Sequence, residues 1–67
     1  MRNNVKYFRK KKGLTQFQLG VKLNIDPTQI SRIERSGKCN LDVAYLLAKE
    51  LDTTIEKLFF SDIKKEE

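Results

Sequence analysis

The most informative stretch for predicting the fold is GLTQFQLGVKLNIDPTQISRIERSGK, residues 13–38. A helix is predicted behind Thr15, because Gln18 three residues later completes a capping box. It ends at Asn24, since asparagine tolerates the left-handed backbone conformation. A second helix begins almost at once, with Asp26 as its cap and Pro27 in the first position, where the missing N–H costs nothing. Two short helices joined by so tight a turn are typical of a helix-turn-helix.

The second helix of this motif is expected to present a polar face to solvent. Ile30 and Ile33, with Ile25 before them, would pack against the core. The residues left facing outward are Pro27, Thr28, Gln29, Ser31, Arg32 and Arg35. An α-helix fits the major groove of B-DNA, where such side chains can read base edges or hold phosphates.

One helix is predicted before the motif, over residues 2–12. Val5 and Phe8 lie three apart and so share a face of it. Gly13 follows a lysine-rich last turn, which is a good helix stop because the lysines complement the helix dipole.

Two more helices are predicted after the motif. Asn40 can cap one over residues 41–51, whose apolar residues follow helical spacing. These are Leu41, Ala44, Leu47, Ala48 and Leu51. Thr53 and Glu56 then form a second capping box before a short helix. Its inward residues are Ile55, Leu58 and Phe59. The sequence therefore predicts one all-α, compact five-helix domain over residues 1–60 and a short charged tail over residues 61–67.

The composition excludes several classes of protein. With 67 residues, 39% hydrophobic and 34% charged, the chain fits a soluble single domain. No apolar run approaches the roughly 18 residues of a membrane span. Cys39 is the only cysteine, so no internal disulfide forms and a cytoplasmic location is expected.

The chain lacks histidine and a glycine-rich loop, two features on which many catalytic and metal sites depend. The chain has no histidine, the usual general base and commonest metal ligand, and its three glycines are too scattered for a phosphate loop. We therefore expect no enzymatic activity, cofactor, metal or small-molecule ligand.

The charge is unevenly distributed along the chain. Residues 1–40 contain ten basic and two acidic residues, a net +8, whereas residues 41–67 contain four and seven, a net −3, which together give the overall +5. This asymmetry favours a folded domain with one basic surface that faces a polyanion and an opposite surface that does not. Charge alone is equally compatible with a basic surface that merely keeps the chain soluble.

The motif resembles the Cro and lambda-repressor type of bacterial and phage helix-turn-helix domain. The likeness continues through LDVAYLLAKELDTTIEKLF and covers about residues 3–60, with GLTQ, ISRIE and TTIEKLF as its most specific pieces. It implies a lambda-repressor-like DNA-binding domain that docks as a dimer on a two-fold symmetric operator.

Three positions depart from that family's usual pattern. Gly20 stands where the family usually has alanine, which keeps the space between helices at a cost of about 0.5–1 kcal/mol. Asn24 replaces the turn glycine. The loop RSGKCN, residues 35–40, is one residue shorter than usual, so phosphate contacts carried over to it are less secure.

Five residues are candidates for contacts with DNA bases. Arg32 can pair with both acceptors of a guanine, and Thr28 and Gln29 lie at the end of the helix that enters the groove. Ser31 could instead bond backbone or water. Pro27 could touch a thymine methyl, but its place at the helix start explains it equally well.

Three residues are candidates for contacts with DNA phosphates. Gln16 opens the first helix of the motif, where free N–H groups and the positive dipole end favour an anion, and the resemblance implies that it clamps the DNA backbone. Arg35 and Lys38 follow the recognition helix and are expected to straddle phosphates.

The resemblance also implies a structural ion pair between Arg9 and Glu34, partly buried, that fixes the third helix against the first. Phe60 and Ile63 are candidates for a dimer interface, because the fifth helix has enough apolar residues without them. Phe17 and Val21 form an apolar pair that is either a partner surface or a harmless patch.

The sequence thus predicts a sequence-specific double-stranded DNA-binding transcriptional regulator, a repressor that acts as a homodimer. Two alternatives stay open. One is an antitoxin that also represses its own operon, for which Phe17 and Val21 would bind the toxin. The other is a helical protein-interaction adaptor that does not bind DNA.

Overall fold

The computed structural model describes residues 3–60, and five α-helices are the regular elements of this range. They are α1 (Val5–Lys11), α2 (Gln16–Leu23), α3 (Pro27–Ser36), α4 (Leu41–Glu50) and α5 (Ile55–Phe59). The predicted all-α class, with a helix-turn-helix formed by α2 and α3, is confirmed. The tail over residues 61–67 lies outside the described residues.

The boundaries of the helix-turn-helix lie where the local sequence predicts them. Thr15 Oγ1 accepts a hydrogen bond from the Gln18 N–H (3.0 Å), and Gln18 Oε1 accepts one from the Thr15 N–H (2.9 Å), which is the predicted capping box. Asn24 is left-handed, with φ 58°. Asp26 Oδ1 accepts from the Thr28 N–H (2.8 Å) and so caps α3. These bonds satisfy N–H groups that a helix start leaves without partners.

The core is apolar and is contributed by all five helices. Leu19 of α2 and Ile30 and Ile33 of α3 are at most 2% exposed, so they hold the two helices of the motif together. The remaining buried apolar residues are Val5, Val43, Ala44, Leu47, Ala48, Leu51, Leu58 and Phe59. Phe8, Leu23 and Ile25 pack against this cluster half-buried.

Gly20 is required by the packing of α2 against the turn, in agreement with the expectation that glycine keeps space between the helices. A Cβ at this position would lie 2.5 Å from the carbonyl oxygen of Ile25 and 3.3 Å from the ring of Pro27. The Ile25 N–H donates to the Gly20 carbonyl at 2.8 Å, which brings the chain back onto the helix end. Alanine would therefore need the turn or α3 to move.

The first helix begins later than predicted, at Val5, because the two preceding asparagines form other contacts. Asn4 is buried, its N–H donates to the Leu58 carbonyl (2.8 Å), and its Nδ2 donates to the Lys57 carbonyl (2.7 Å). Asn3 Oδ1 accepts from the Val5 N–H at 2.9 Å and satisfies the first turn. Asn4 therefore ties the start of α1 to α5, and Asn3 satisfies its first N–H.

Leu41 follows the apolar spacing predicted for α4, but it is not buried. Its side chain is 73% exposed, whereas Val43 is 9% exposed. Leu41 opens α4 and sits at the edge of the apolar stripe, so a small rotation of the buried face toward Val43 leaves it in solvent.

The prediction of a second capping box, made by Thr53 with Glu56, is wrong. The residue that caps α5 is Thr54, whose side chain accepts a hydrogen bond from the Lys57 N–H. The end of α4 explains the shift. Asp52 is left-handed (φ 59°), and the Thr53 N–H donates to the Ala48 carbonyl at 2.9 Å, a Schellman-type closure. Thr53 therefore belongs to the end of α4, and the next residue is the first that can begin α5.

Candidate nucleic-acid interface

The outer face of α3 carries the predicted base-reading residues in solvent. Thr28, Gln29 and Arg32 are exposed, as is Arg35 one turn further on. Thr28, Arg32 and Arg35 follow the spacing i, i+4, i+7 and so share one face. Ile30 and Ile33 lie on the opposite face and are 0% and 2% exposed. The helix thus presents hydrogen-bonding and cationic groups outward and is fixed from behind.

The amino-terminal end of α3 is fixed by Asp26. A hydrogen bond from the Thr28 backbone N–H, with one from the Thr28 side chain, lowers the pKa of Asp26 below its usual 3.8, and the positive charge of Arg32 adds to this. The carboxylate is therefore ionised at neutral pH, where it complements the positive end of the helix dipole.

Two of the predicted base-reading residues are less accessible than the others. Ser31 and Pro27 are half-buried. The Pro27 ring lies 3.3 Å from the position that a Cβ on Gly20 would take, so part of its surface packs against α2.

Arg9 and Glu34 form an ion pair between α1 and α3, the pair that the family resemblance implies. Arg9 Nε lies 2.6 Å from Glu34 Oε2, and their side chains are 8% and 6% exposed. Arg9 Nη2 also donates to Glu34 Oε1 (3.3 Å), and Arg9 Nη1 donates to the Leu14 carbonyl (2.8 Å). The pair is buried and bidentate, and both charges are hydrogen-bonded.

Gln16 is at the first position of α2, as predicted, but its side chain has an internal partner. Gln16 Nε2 donates to Glu34 Oε1 at 3.0 Å, and the residue is half-buried. The bond joins α2 to α3 across 18 positions in sequence. No local pattern indicates it, because neither residue is near the other until the helices pack. The phosphate contact of Gln16 stays a prediction.

The end of α3 and the following loop carry the other two phosphate candidates. Arg35 and Lys38 are both exposed. Gly37 between them is left-handed (φ 74°) and closes the helix through its N–H to the Ile33 carbonyl (2.8 Å). The Lys38 N–H donates to Ser36 Oγ at 3.1 Å, which orders the start of the shorter loop.

Asn3 supports the recognition helix in a way that the sequence did not reveal. Its Nδ2 donates to the carbonyls of Ile33 (3.0 Å) and Glu34 (3.2 Å). The Ile33 carbonyl also accepts the Gly37 N–H, whereas Glu34 is one of the last residues of α3, where a helix end leaves carbonyls without intrahelical partners. Asn3 supplies a donor there. An asparagine before a helix indicates a local cap, and a contact 30 positions away has no sequence signal.

Apolar side chains are exposed on another part of the molecule. We call the exposed Leu41, Tyr45, Leu46 and Phe60, together with the half-buried Ile55, the α4–α5 apolar surface. They border two adjoining cavities that share Leu41 and Ile55. Leu41 and Phe60 are each 73% exposed, and Tyr45 is 57% exposed. Ile63, the second dimer candidate, lies outside the described residues.

The apolar pair on α2 and the cysteine differ in exposure. Phe17 and Val21 on α2 are 66% and 63% exposed. Cys39 is half-buried in the wall of one of the cavities, and this burial raises the pKa of its thiol. A raised pKa lowers the thiolate fraction and makes the cysteine a poor nucleophile.

Residues 3–60 contain no group of histidine, cysteine or acidic side chains arranged to bind a metal ion. Within the same range, none of the five helices has the length and apolar character that a membrane crossing needs.

Comparison with known families identifies the motif. The family model described as helix-turn-helix matches residues 5–58, which is most of the chain and spans all five helices. A search of curated proteins finds no significant match.

Proposed function

Because this chain belongs to the Cro and lambda-repressor type of the helix-turn-helix family, we propose that it represses transcription by binding a two-fold symmetric DNA operator as a homodimer. DNA binding and transcription regulation follow from the family itself. What we propose beyond the family is that the chain represses, that it forms a dimer, that its operator is symmetric, and that the named residues make the contacts.

The observation that carries the proposal is the exposure of Thr28, Gln29 and Arg32 on a helix whose back is buried. In the major groove a guanidinium can donate to guanine O6 and N7, and a carboxamide can pair with adenine N6 and N7. Arg32 and Gln29 carry these groups. Thr28 can bond either kind of base edge, and Ser31 and Pro27 would lie at the margin of the contact.

Phosphate contacts would hold the recognition helix in register. Gln16 lies at the start of α2, where first-turn N–H groups and the dipole attract an anion. Arg35 and Lys38 extend positive charge past the end of α3. Each cation that neutralises a phosphate steepens the log–log salt dependence of binding by about 0.9, whereas the neutral Gln16 leaves it unchanged.

The α4–α5 apolar surface supports the dimer. Large exposed apolar patches mark interaction sites on soluble proteins. Residues 41–60 contain two basic and four acidic residues, so two copies meeting there avoid the repulsion between their basic DNA-facing sides. Phe60 is the predicted dimer residue in this surface, and Leu41 and Tyr45 join it. Two half-sites one helical turn apart then combine two sets of base contacts.

The first test is to select bound oligonucleotides from a random pool and titrate the selected duplex and a scrambled duplex at two salt concentrations. We expect an inverted-repeat sequence and tighter binding to the selected duplex by about 10³-fold or more. Equal affinity for both duplexes would reject sequence specificity.

A substitution test separates the repressor from the protein-interaction adaptor. Replacing Gln16, Thr28, Gln29 and Arg32 together by alanine should abolish operator binding while the circular dichroism spectrum is retained. Lys49→Ala, an exposed cation on α4, is the matched control and should leave binding within about twofold. An adaptor would show no DNA binding to lose.

The exposure of Phe17 and Val21 favours a second candidate within the same fold, an antitoxin that represses its own operon. The discriminating observation is a toxin partner that binds wild-type protein but not Val21→Asp, with operator binding unchanged.

A further inference from the structure

One carboxylate joins the structural ion pair to the predicted phosphate contact. Glu34 Oε2 accepts from Arg9 Nε at 2.6 Å, and Glu34 Oε1 accepts from both Arg9 Nη2 (3.3 Å) and Gln16 Nε2 (3.0 Å). The Glu34 side chain is 6% exposed, whereas Gln16 is half-buried and lies at the edge of the DNA-facing side. The ion pair thus has a third member that reaches toward the surface.

The third bond is not needed for the ion pair. Arg9 alone engages both oxygens of Glu34, and its Nη1 donates to the Leu14 carbonyl. What the bond does determine is the orientation of the Gln16 carboxamide. An amide nitrogen carries two hydrogens, so one can be given to Glu34 while the other is available to an acceptor outside the protein.

The charges around Gln16 are compatible with an anion beside it. A lone carboxylate next to a phosphate would repel it, but Glu34 is neutralised by Arg9 at 2.6 Å. The start of α2 adds the positive end of its dipole. Arg9 therefore allows Glu34 to hold Gln16 without opposing the phosphate.

We propose that Glu34 is a positioning residue for DNA binding, which holds the Gln16 carboxamide in the orientation that contacts a backbone phosphate. Because Glu34 belongs to α3 and Gln16 to α2, the bond sets the phosphate contact relative to the base-reading face of the same recognition helix. The ordering of a flexible side chain then takes place during folding rather than on binding. This inference rests on the proposed function, since it needs an operator.

The test is a double-mutant cycle on operator affinity with wild type, Gln16→Ala, Glu34→Gln and the double variant. Glu34→Gln replaces one carboxylate oxygen by an NH2 group and removes the negative charge, so the acceptor is weaker. The charged Arg9 competes for the oxygen that remains, and the hold on Gln16 is weakened. We expect Gln16→Ala to weaken binding about tenfold in the wild-type background, as for a hydrogen bond to a charged group. In the Glu34→Gln background the same change should matter less than twofold.

The matched control is Glu50→Gln, because Glu50 forms a more exposed ion pair, with Lys22 at 3.9 Å. Gln16→Ala should weaken binding about tenfold there too. The same tenfold loss in Glu34→Gln would show that Glu34 has only a structural role and would overturn the inference, as would a Gln16→Ala variant that binds as wild type. If wild type binds no selected operator, it is the proposed function that fails.

Nuclear magnetic resonance of the wild-type protein provides a test that survives if Glu34→Gln fails to fold. One Gln16 side-chain amide proton should be shifted downfield by Glu34 in the free protein. On addition of operator the second proton should shift and the first should stay where it was. Loss of the first proton's shift in the complex would mean that Glu34 releases Gln16, which contradicts the proposal.

Discussion

The outer face of α3 and the α4–α5 apolar surface are both exposed, yet they differ in chemistry. Thr28, Gln29 and Arg32 are polar or charged and are well solvated without a partner. Leu41 and Phe60 are each 73% exposed and apolar, so covering them with a partner lowers the free energy. Exposure shows where a partner can bind, while the chemistry of the side chains decides which kind of partner we propose: a nucleic acid for the first surface and a protein for the second.

The two surfaces also differ in what supports them. The outer face of α3 is backed by buried isoleucines, by the Arg9–Glu34 pair and by Asn3 on its last carbonyls. The α4–α5 apolar surface adjoins the buried core residues Ala44 and Phe59. Polar bonds of defined direction fix an orientation, whereas apolar packing mainly provides area. A surface that reads bases needs the first kind of support.

The largest expected effect comes from removing the charged support of α3. Glu34→Ala should lower the free energy of unfolding by about 3–5 kcal/mol, because it leaves the Arg9 charge buried without its partner. Urea denaturation followed by circular dichroism measures this. Glu50→Ala breaks the exposed pair with Lys22 and should cost less than about 1 kcal/mol. A loss below roughly 0.5 kcal/mol for Glu34→Ala, the scale of an exposed pair, would contradict the predicted role.

The next effect separates the two surfaces directly. The triple variant Thr28→Ala, Gln29→Ala, Arg32→Ala should weaken operator binding by about 10²-fold or more, since each base contact contributes about 1–3 kcal/mol. Its association state in sedimentation equilibrium should be that of wild type. A variant that binds the operator normally would remove the outer face of α3 from the DNA interface.

The converse substitution tests the apolar surface. Phe60→Asp should weaken dimerisation by about 30-fold, on the order of 2 kcal/mol, as expected for a buried aromatic anchor. Binding to a single half-site should be unchanged in a titration of short duplexes. Val21→Asp on α2 is the matched control and should dimerise normally. Unchanged sedimentation of Phe60→Asp would place the dimer contact elsewhere.

A smaller effect concerns the packing that sets α3 at its angle. Gly20→Ala should destabilise the fold by about 1 kcal/mol, because the clash of a new Cβ with the Ile25 carbonyl outweighs the gain in helix propensity. Thermal denaturation measures it, with Val21→Ala on the exposed side of α2 expected within about 0.5 kcal/mol of wild type. If Gly20→Ala stabilised the fold, the turn would have to move away from the new Cβ at little energetic cost.

The smallest effect is the pH dependence at the start of α3. The pKa of Asp26 is lowered in the folded state, so its contribution is complete above its usual 3.8 and is lost as pH falls below that value through the folded pKa. Asp26→Asn keeps a capping oxygen but does not titrate. The difference in melting temperature between the two should therefore be constant near neutral pH and change only in acid. A difference that varies around pH 7 would exclude this cause.

Sequence reasoning predicted the helix-turn-helix well because its signals are local. Thr15 with Gln18, Asn24, and Asp26 with Pro27 each act over no more than three residues, so the helix ends can be located before any packing is known. The alternation of Ile30 and Ile33 with polar neighbours likewise predicted which side of α3 is buried. The ion pair of Arg9 with Glu34 came from the family resemblance rather than from the residues themselves.

The sequence alone was thus enough to predict the five helices, the start of the recognition helix and the chemistry of its outer face. Only the tertiary structure decided which of Thr53 and Thr54 caps α5, whether Leu41 is buried, why Gly20 is needed, and that Gln16 and Asn3 bond to residues of α3. The physical reason is range: a cap is made by groups that covalent geometry already holds together. A carboxylate or carbonyl 18 to 31 positions away becomes a partner only when packing of the apolar core brings the helices together.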